Sequence, residues 1–251
     1  MDLYTFRLSK GAHDSADKGV CAMEAVAWMA GEQHSDRPQC ACPVLGAFTM
    51  RINDCMEDEF RPLLNPLILK LIGTRSTAHQ MPRAMHFVRS GITRILPIAF
   101  DLAAQINPKF AELSAKLKAL PANASYADCK KTVKWARDEA QKIYNADAYA
   151  YADAYAYAYA DAYADASAYA SASAYAYAYA YAYADASASA DAYADAYAYA
   201  KKIKPLIWQE TVKILTEAIE LGPYNKDEFY DMQVLRQRLD EYKTRILERA
   251  A

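Results

Sequence analysis

The sequence has no apolar run long enough to cross a membrane, since a membrane-spanning helix needs about 20 consecutive apolar residues. Its N-terminal residues, Met1 to Lys10, are neither basic enough nor apolar enough for a signal peptide. The five cysteines are an odd number without framework spacing, which favours free thiols in a reducing compartment over disulfides. These absences predict a cytoplasmic protein with no membrane partner.

Familiar catalytic motifs are also missing. The chain has no Gly-rich phosphate loop, no Gly-x-Ser-x-Gly and no His-Glu-x-x-His, which removes the commonest nucleotide-binding, hydrolase and metalloprotease signatures. The 29 Lys and Arg against 31 Asp and Glu leave no concentrated basic excess of the kind that nucleic-acid binding needs. We therefore expect no nucleic-acid partner, and the sequence points to no particular cofactor.

What the chain has in abundance is a dipeptide repeat from Ala146 to Ala200. Every even-numbered residue there is Ala, and the odd-numbered residues are 15 Tyr, 7 Asp and 5 Ser, with no Gly, Pro, Lys or Arg. Strict alternation is typical of a strand, so a stacked β repeat is one interpretation. Because Ala is the best helix former and the flanking segments also have helical patterns, we expect a long protruding helical element.

The spacing of apolar residues elsewhere predicts a mainly α fold. We expect a helical N-terminal domain over residues 1–125, a flanking helix and the repeat over 126–204, and C-terminal helices over 205–251 that pack on the N-terminal domain. The individual elements are a short strand over Leu3 to Leu8 and helices over Val20 to Ala30, from Pro43, over Glu57 to Ile72, over Met81 to Ile106 with bends at Gly91 and Pro97, over Pro108 to Leu120, over Ala127 to Tyr144, over Pro205 to Leu221 and over Asp227 to Glu248.

Three ungapped segments and one closing segment resemble a family of uncharacterised bacterial and phage proteins. The segments are Gly19-Val-Cys-Ala-Met-Glu-Ala-Val-Ala-Trp-Met-Ala-Gly-Glu32, Pro38-Gln-Cys-Ala-Cys-Pro-Val-Leu-Gly-Ala-Phe48, Leu71-Ile-Gly-Thr-Arg75 and Ile207-Trp-Gln-Glu-Thr-Val-Lys-Ile-Leu-Thr-Glu-Ala-Ile219. The resemblance implies that the Ala-rich tract is an insertion of variable length. The family has no assigned activity, so the resemblance transfers no functional residue.

Polar residues that could carry chemistry crowd between His13 and Cys42. They are His13, Asp14, Asp17, Cys21, Glu24, His34, Asp36, Cys40 and Cys42. Cys21 lies where a helix is expected to begin, and the helix dipole there lowers a thiol pKa, so Cys21 is a candidate nucleophile. A histidine, His13 or His34, is its candidate base, with Glu24 as the acidic residue. The alternative is that Cys21 is a small buried apolar residue.

Two further interpretations concern the same segment. His13, Cys21, His34, Cys40 and Cys42 are possible metal ligands, but a lone Cys-x-Cys lacks the paired spacing of structural zinc sites. Glu24 is either an ordinary first-turn acid or a buried carboxylate that holds the preceding loop by accepting its amide hydrogens, and its apolar neighbours favour the second. His79 and His86 have no acid or Cys at ligand spacing, so structural roles are expected.

The repeat and the last helix indicate association rather than catalysis. A helix with Tyr on every side cannot bury that surface against one small domain, and exposed aromatic surface is typical of an interface. The last helix has a narrow apolar seam formed by Phe229, Met232, Leu235, Leu239, Tyr242 and Ile246. We therefore expect a non-enzymatic structural or interaction protein that forms homo-oligomers, with a Cys21 enzyme or a His/Cys metal-binding domain as alternatives.

Overall fold

A computed structural model describes most of the chain outside the repeat. The described residues are 7–15, 18–105, 107–147 and 194–222, together with Gln233, Val234, Gln237, Arg238, Asp240, Glu241 and Thr244. Within these residues every regular element is a helix, so the mainly α fold is confirmed. Leu3 to Phe6 of the expected strand lie outside the described residues, and Arg7 and Leu8 have no regular structure.

The helices follow one another along the chain with short connections. They are α1 (Ala22–Ala30), α2 (Pro43–Cys55), a 3₁₀ turn (Arg61–Leu64), α3 (Asn65–Leu71), α4 (Thr77–Ser90), a π turn (Gly91–Ile95), α5 (Leu96–Ala103), α6 (Lys109–Lys118), α7 (Tyr126–Asp147) and α8 (Ala194–Glu220). Among these described helices, none combines the length and the apolar character that crossing a membrane would require.

Both ends of the repeat are helical where the structure describes them. Helix α7 includes Ala146 and Asp147, and α8 includes Ala194 to Ala200. The rest of the expected helical element, residues 148–193, lies outside the described residues. The described positions of the expected last helix are helical as well, whereas the residues of its apolar seam lie outside them.

The chain forms two compact units, whose boundaries fall inside α4 and inside α8. Unit 1 comprises residues 1–83 and 215–251, and unit 2 comprises residues 84–214. Helices α4 and α8 are each one continuous helix that contributes residues to both units, and no change of composition along the chain marks these boundaries.

Helix α1 is at the centre of unit 1. It contacts α2 and α3, and Met23, Val26 and Met29 are completely buried. It ends at Gly31, as predicted, because Gly31 adopts a left-handed conformation (φ 75°) and the N–H of Glu32 reaches back to the carbonyl of Ala27. Helix α1 is buried on almost all of its sides, as expected for a helix whose residues are nearly all apolar.

Helices α2 and α3 illustrate the two roles of proline at a helix start. Pro43 opens α2 in its first turn, as predicted, since its missing N–H has no helical partner to lose there. The third helix does not begin at Glu57, because Pro62 and Pro66 divide its beginning. A 3₁₀ turn over Arg61–Leu64 precedes α3, which starts only at Asn65.

Two arginines hold helix ends inside unit 1. Arg83 is fully buried and donates to the carbonyls of Thr74 (2.6 Å) and Ala218 (3.1 Å), the second near the end of α8. Arg238 donates to the carbonyl of Met29 at 2.7 Å, and its own carbonyl accepts from Nε1 of Trp28 at 3.3 Å. The positive guanidinium groups therefore complement the partial negative charge at helix C-termini.

Unit 2 contains the second half of α4, the π turn, α5 to α7 and the first part of α8. Its core includes Phe87, Ile92, Leu117 and Ile214, and the rings of Phe100 and Phe110 stack with centroids 6.0 Å apart. The expected bend near Gly91 is a π turn, in which the N–H of Leu96 bonds to the carbonyl of Gly91. An ion pair joins Arg94 to Glu210, and both side chains are one quarter exposed.

Candidate functional site

Glu24 is the centre of a buried polar cluster in unit 1. It occupies the third position of α1 and is 1% exposed. Its Oε2 accepts the backbone N–H of Cys21 at 2.8 Å, while the Sγ of Cys21 accepts the N–H of Glu24 at 3.4 Å. This reciprocal pair is a capping box in which Cys takes the place usually held by Ser or Thr.

The second set of contacts joins Glu24 to His13 in the preceding loop. The backbone N–H of His13 donates to Oε1 at 2.6 Å, and its ring Nδ1 lies 2.8 Å from Oε2. Burial alone would raise the pKa of Glu24, but hydrogen bonds from the backbone N–H groups of Cys21 and His13 and from the His13 ring lower it below its usual value. Glu24 is therefore an ionised carboxylate that holds the loop, and that prediction is confirmed.

His34 closes the cluster from the loop that follows α1. Its Nε2 donates to the carbonyl oxygen of His13 at 2.7 Å and lies 3.6 Å from Oε1 of Glu24. His13 is thus bound through its backbone N–H, its carbonyl and its ring. This arrangement fixes the loop before α1 against both ends of that helix.

Ser9 extends the cluster and was not singled out by the sequence. Its backbone N–H donates to the carbonyl of Val20 at 2.9 Å, and its Oγ accepts the N–H of Val20 at 3.0 Å. The same Oγ lies 3.1 Å from Nε2 of His13. Because the ionised Glu24 only accepts, Nδ1 of His13 donates to it, while the Ser9 hydroxyl donates to the carbonyl of Val20 at 3.3 Å.

The backbone of Gly19 covers the contact between Ser9 and His13. Gly19 has φ 146°, and a Cβ at this position would lie 2.5 Å from Nε2 of His13 and 2.7 Å from Oγ of Ser9. Hydroxyl, imidazole and carboxylate in series are the order of an acid–base relay. Here the main chain packs against the hydroxyl and the ring nitrogen, so the arrangement is better suited to holding the loop than to attacking a substrate.

Helix α2 and the 3₁₀ turn hold the same loop by hydrogen bonds from their side chains to its backbone. Asn53 is completely buried, donates from Nδ2 to the carbonyl of Ser9 at 2.9 Å and accepts the N–H of Ala22 at 3.2 Å. Arg61 donates to the carbonyls of Met56 at 2.7 Å and Asn53 at 3.0 Å. Their contacts with the loop, from Asn53 to Ser9 and from Arg61 to the carbonyl of Leu8, span 44 and 53 residues, so no local sequence pattern predicts them.

Cys21 lies at the N-cap of α1 rather than within its first turn, and it is 2% exposed. Burial is the largest cause that raises the pKa of the Cys21 thiol, to about 12; the backbone N–H of Glu24 lowers it, and the negative charge of Glu24 raises it again. The expected lowering by the helix dipole is wrong because loss of hydration outweighs it. Cys21 is therefore protonated at neutral pH, which favours the buried structural interpretation.

The remaining candidate ligands also have partners within the protein. Glu32 accepts the N–H groups of Gln39 (2.5 Å) and Cys40 (2.6 Å), and burial first, then Glu32, raises the pKa of Cys40 to about 12. The N–H of Cys42 donates to Oγ1 of Thr74 at 3.0 Å. Across the residues that the structure describes, no three His, Cys, Asp or Glu side chains are arranged to hold a metal ion.

The two histidines expected to be structural contact protein groups in their own units. His79 Nδ1 lies 2.7 Å from Oγ of Ser76, and His86 Nε2 lies 3.2 Å from the carbonyl of Ile214. Asp17, another member of the sequence cluster, lies outside the described residues. The structure thus brings together His13, Cys21, Glu24 and His34, and it adds Ser9 to them.

Comparison of the chain with protein-family models, with curated proteins and with solved structures finds no match. The resemblance to uncharacterised bacterial and phage proteins stays a prediction.

Proposed function

We propose that the protein is a non-enzymatic interaction protein that self-associates through its Tyr/Ala repeat. The observation that carries this proposal is the state of Glu24, whose two oxygens are both occupied by His13 and Cys21. The residues best suited to chemistry are therefore used to hold the chain together. A catalytic role would require them to face a substrate instead.

The repeat supplies the surface for association. Its 15 Tyr offer large, rigid contact area at low cost in side-chain entropy, and its alternation with Ala leaves those rings accessible to a partner. Helices α7 and α8 continue into the repeat from both sides, which supports a helical element at its two ends. A second copy of the chain supplies the matching surface, since each chain carries the same repeat.

Sedimentation velocity over a range of protein concentrations tests the proposal. The full chain is expected to associate, and a deletion of residues 148–198 is expected to be monomeric. A matched control keeps the length and charge of the repeat but replaces its Tyr by Ser. This control separates the aromatic surface from the length of the segment, and we expect it to associate weakly or not at all. A full chain that is monomeric at every concentration would refute the proposal.

A further inference from the structure

Helix α7 of unit 2 carries a basic face on its exposed side. This basic face consists of Lys130, Lys131 and Lys134, which helical spacing places together and which are all exposed. The opposite side of α7 is buried against unit 2 through Cys129, Val133, Ala136 and Ala140. Nearby, Nζ of Lys116 stands 3.8 Å above the ring of Trp135.

The charges of the basic face are only partly balanced by the residues that the structure describes. Neighbouring cations have partners, since Lys118 pairs with Asp101 and Lys142 with Glu139. Among the residues that the structure describes, no acid lies within ion-pair distance of Lys130, Lys131 or Lys134. Hydrogen bonds from Ser125, and then the charge of Lys131, lower the pKa of Asp128, so Asp128 balances Lys131 in part. Lys130 and Lys134 have no such partner among the described residues, and the basic face as a whole keeps a positive charge that an external anion can meet.

The repeat has the complementary chemistry. Its seven Asp are accompanied by no Lys or Arg between Ala146 and Ala200. Its Tyr rings can also accept Lys ammonium groups over their faces, as Trp135 accepts Lys116 in this protein. An acidic segment rich in aromatic rings thus matches a face of exposed lysines in both charge and ring contacts.

The geometry of α7 favours the repeat of a second copy over that of the same chain. Because α7 is helical as far as Asp147, the first acid of the repeat lies about 20 Å along the helix axis from Lys134. The described part of α7 therefore carries the chain away from the basic face as far as Asp147. Two chains side by side in opposite directions would place each repeat on the other chain's basic face, in a closed two-fold arrangement.

We propose that the basic face of α7 docks the acidic, tyrosine-rich repeat of a second copy of this chain. This inference rests on the proposed self-association and names the surface that receives the repeat. Docking brings the lysines of the basic face next to the Asp side chains of the repeat, so each charge is neutralised by the other. It thereby also offsets the repulsion between the Asp side chains of neighbouring repeats.

The test reverses the three charges in the triple variant Lys130→Glu, Lys131→Glu, Lys134→Glu. The dissociation constant of the dimer, measured by sedimentation, should rise at least about tenfold at roughly 0.1 M salt, and the effect should shrink as salt screens the charges. The matched control, Lys10→Glu, Lys70→Glu, Lys213→Glu, reverses three exposed lysines elsewhere and should change the dissociation constant less than about twofold. Circular dichroism verifies that both variants are folded.

A mixing experiment adds a gain of function. A chain whose repeat Asp are replaced by Lys should associate with the triple variant although neither associates with itself.

If the 148–198 deletion abolishes association but the triple variant associates like the wild type and the mixture does not pair, the docking proposal is overturned while self-association stands. If the wild type is itself monomeric, both proposals fail. If the basic face instead binds a DNA or RNA oligonucleotide in competition with self-association, its occupant is a nucleic acid and the inference is wrong.

Discussion

The Nδ1 atom of His13 lies 2.8 Å from Oε2 of Glu24, and this contact joins the loop before α1 to the first turn of the helix. The same carboxylate accepts the N–H groups of both His13 and Cys21. A buried ionised group is tolerated only when it is fully hydrogen-bonded, so loop and helix start depend on each other.

Glu24→Gln should therefore lower the free energy of unfolding by about 2 to 3 kcal/mol, because an amide presents N–H groups to donors that need acceptors. Urea unfolding followed by circular dichroism measures the loss. Glu59→Gln, at an exposed position, serves as the control and should change stability by less than about 0.5 kcal/mol. Equal effects in the two variants would contradict the role of Glu24.

The lowered pKa of Glu24 predicts a dependence of stability on pH. A carboxyl whose pKa is lower in the folded state contributes stability above its unfolded pKa, and that stability is lost as pH falls through the folded value. We expect this contribution to be complete at neutral pH and to decline below about pH 4.5. The difference in unfolding free energy between wild type and Glu24→Gln should thus shrink on acidification. A difference that is constant from neutral pH to pH 3 would show that Glu24 has no lowered pKa.

Two glycines of the same loop give a paired test of packing around His13. Gly19→Ala places a Cβ 2.5 Å from Nε2 of His13, whereas Gly11→Ala meets nothing within 4 Å. Both glycines have positive φ, so an alanine at either position is destabilised by about 1 kcal/mol through its backbone conformation. Only Gly19→Ala also displaces the imidazole ring of His13. We expect Gly19→Ala to destabilise the protein by at least about 2 kcal/mol, measured by urea unfolding. Similar losses for both variants would mean that the contact with His13 contributes nothing.

The thiol of Cys21 should be inert in the folded protein. Its pKa of about 12 and its burial leave almost no accessible thiolate at neutral pH. Labelling with a thiol reagent, followed by peptide mass mapping, should modify Cys55, which is partly exposed, before Cys21. Cys21 should react only at the rate of unfolding. Rapid and selective labelling of native Cys21 would instead support the enzyme interpretation.

Features that depend on neighbouring residues in the sequence could be predicted, and those that depend on distant ones could not. Gly31 ends α1 and Pro43 begins α2 because backbone conformation at these positions is decided locally. The role of Glu24 followed from its position in a helix start with apolar neighbours. Arg83, in contrast, binds the carbonyl of Ala218, 135 residues away in sequence. No local pattern distinguishes it from an exposed arginine.

The candidate site shows the same division. His13 and Glu24 were identified by residue type, whereas Ser9 and Asn53 were missed because their roles arise from contacts with a loop whose path the sequence does not specify. The expected pKa of Cys21 was wrong for a related reason. Position at a helix start is visible in sequence, but the extent of burial that opposes the dipole is a property of the packed unit.

The π turn between α4 and α5 has a consequence for how apolar residues are spaced in this part of the chain. A π turn holds one residue more than an α-helical turn, so it advances everything after it by about 100° around the axis. Phe87, before the turn, and Phe100, after it, are both buried although they do not share one α-helical phase. The extra residue thus sets which side of α5 faces the core of unit 2, separately from the side that α4 presents. Deletion of one residue at Gly91–Ile95 would therefore restore an α-helical turn and leave the faces of α4 and α5 as they are, whereas deletion of one residue within α5 would rotate the residues after it by about 100°.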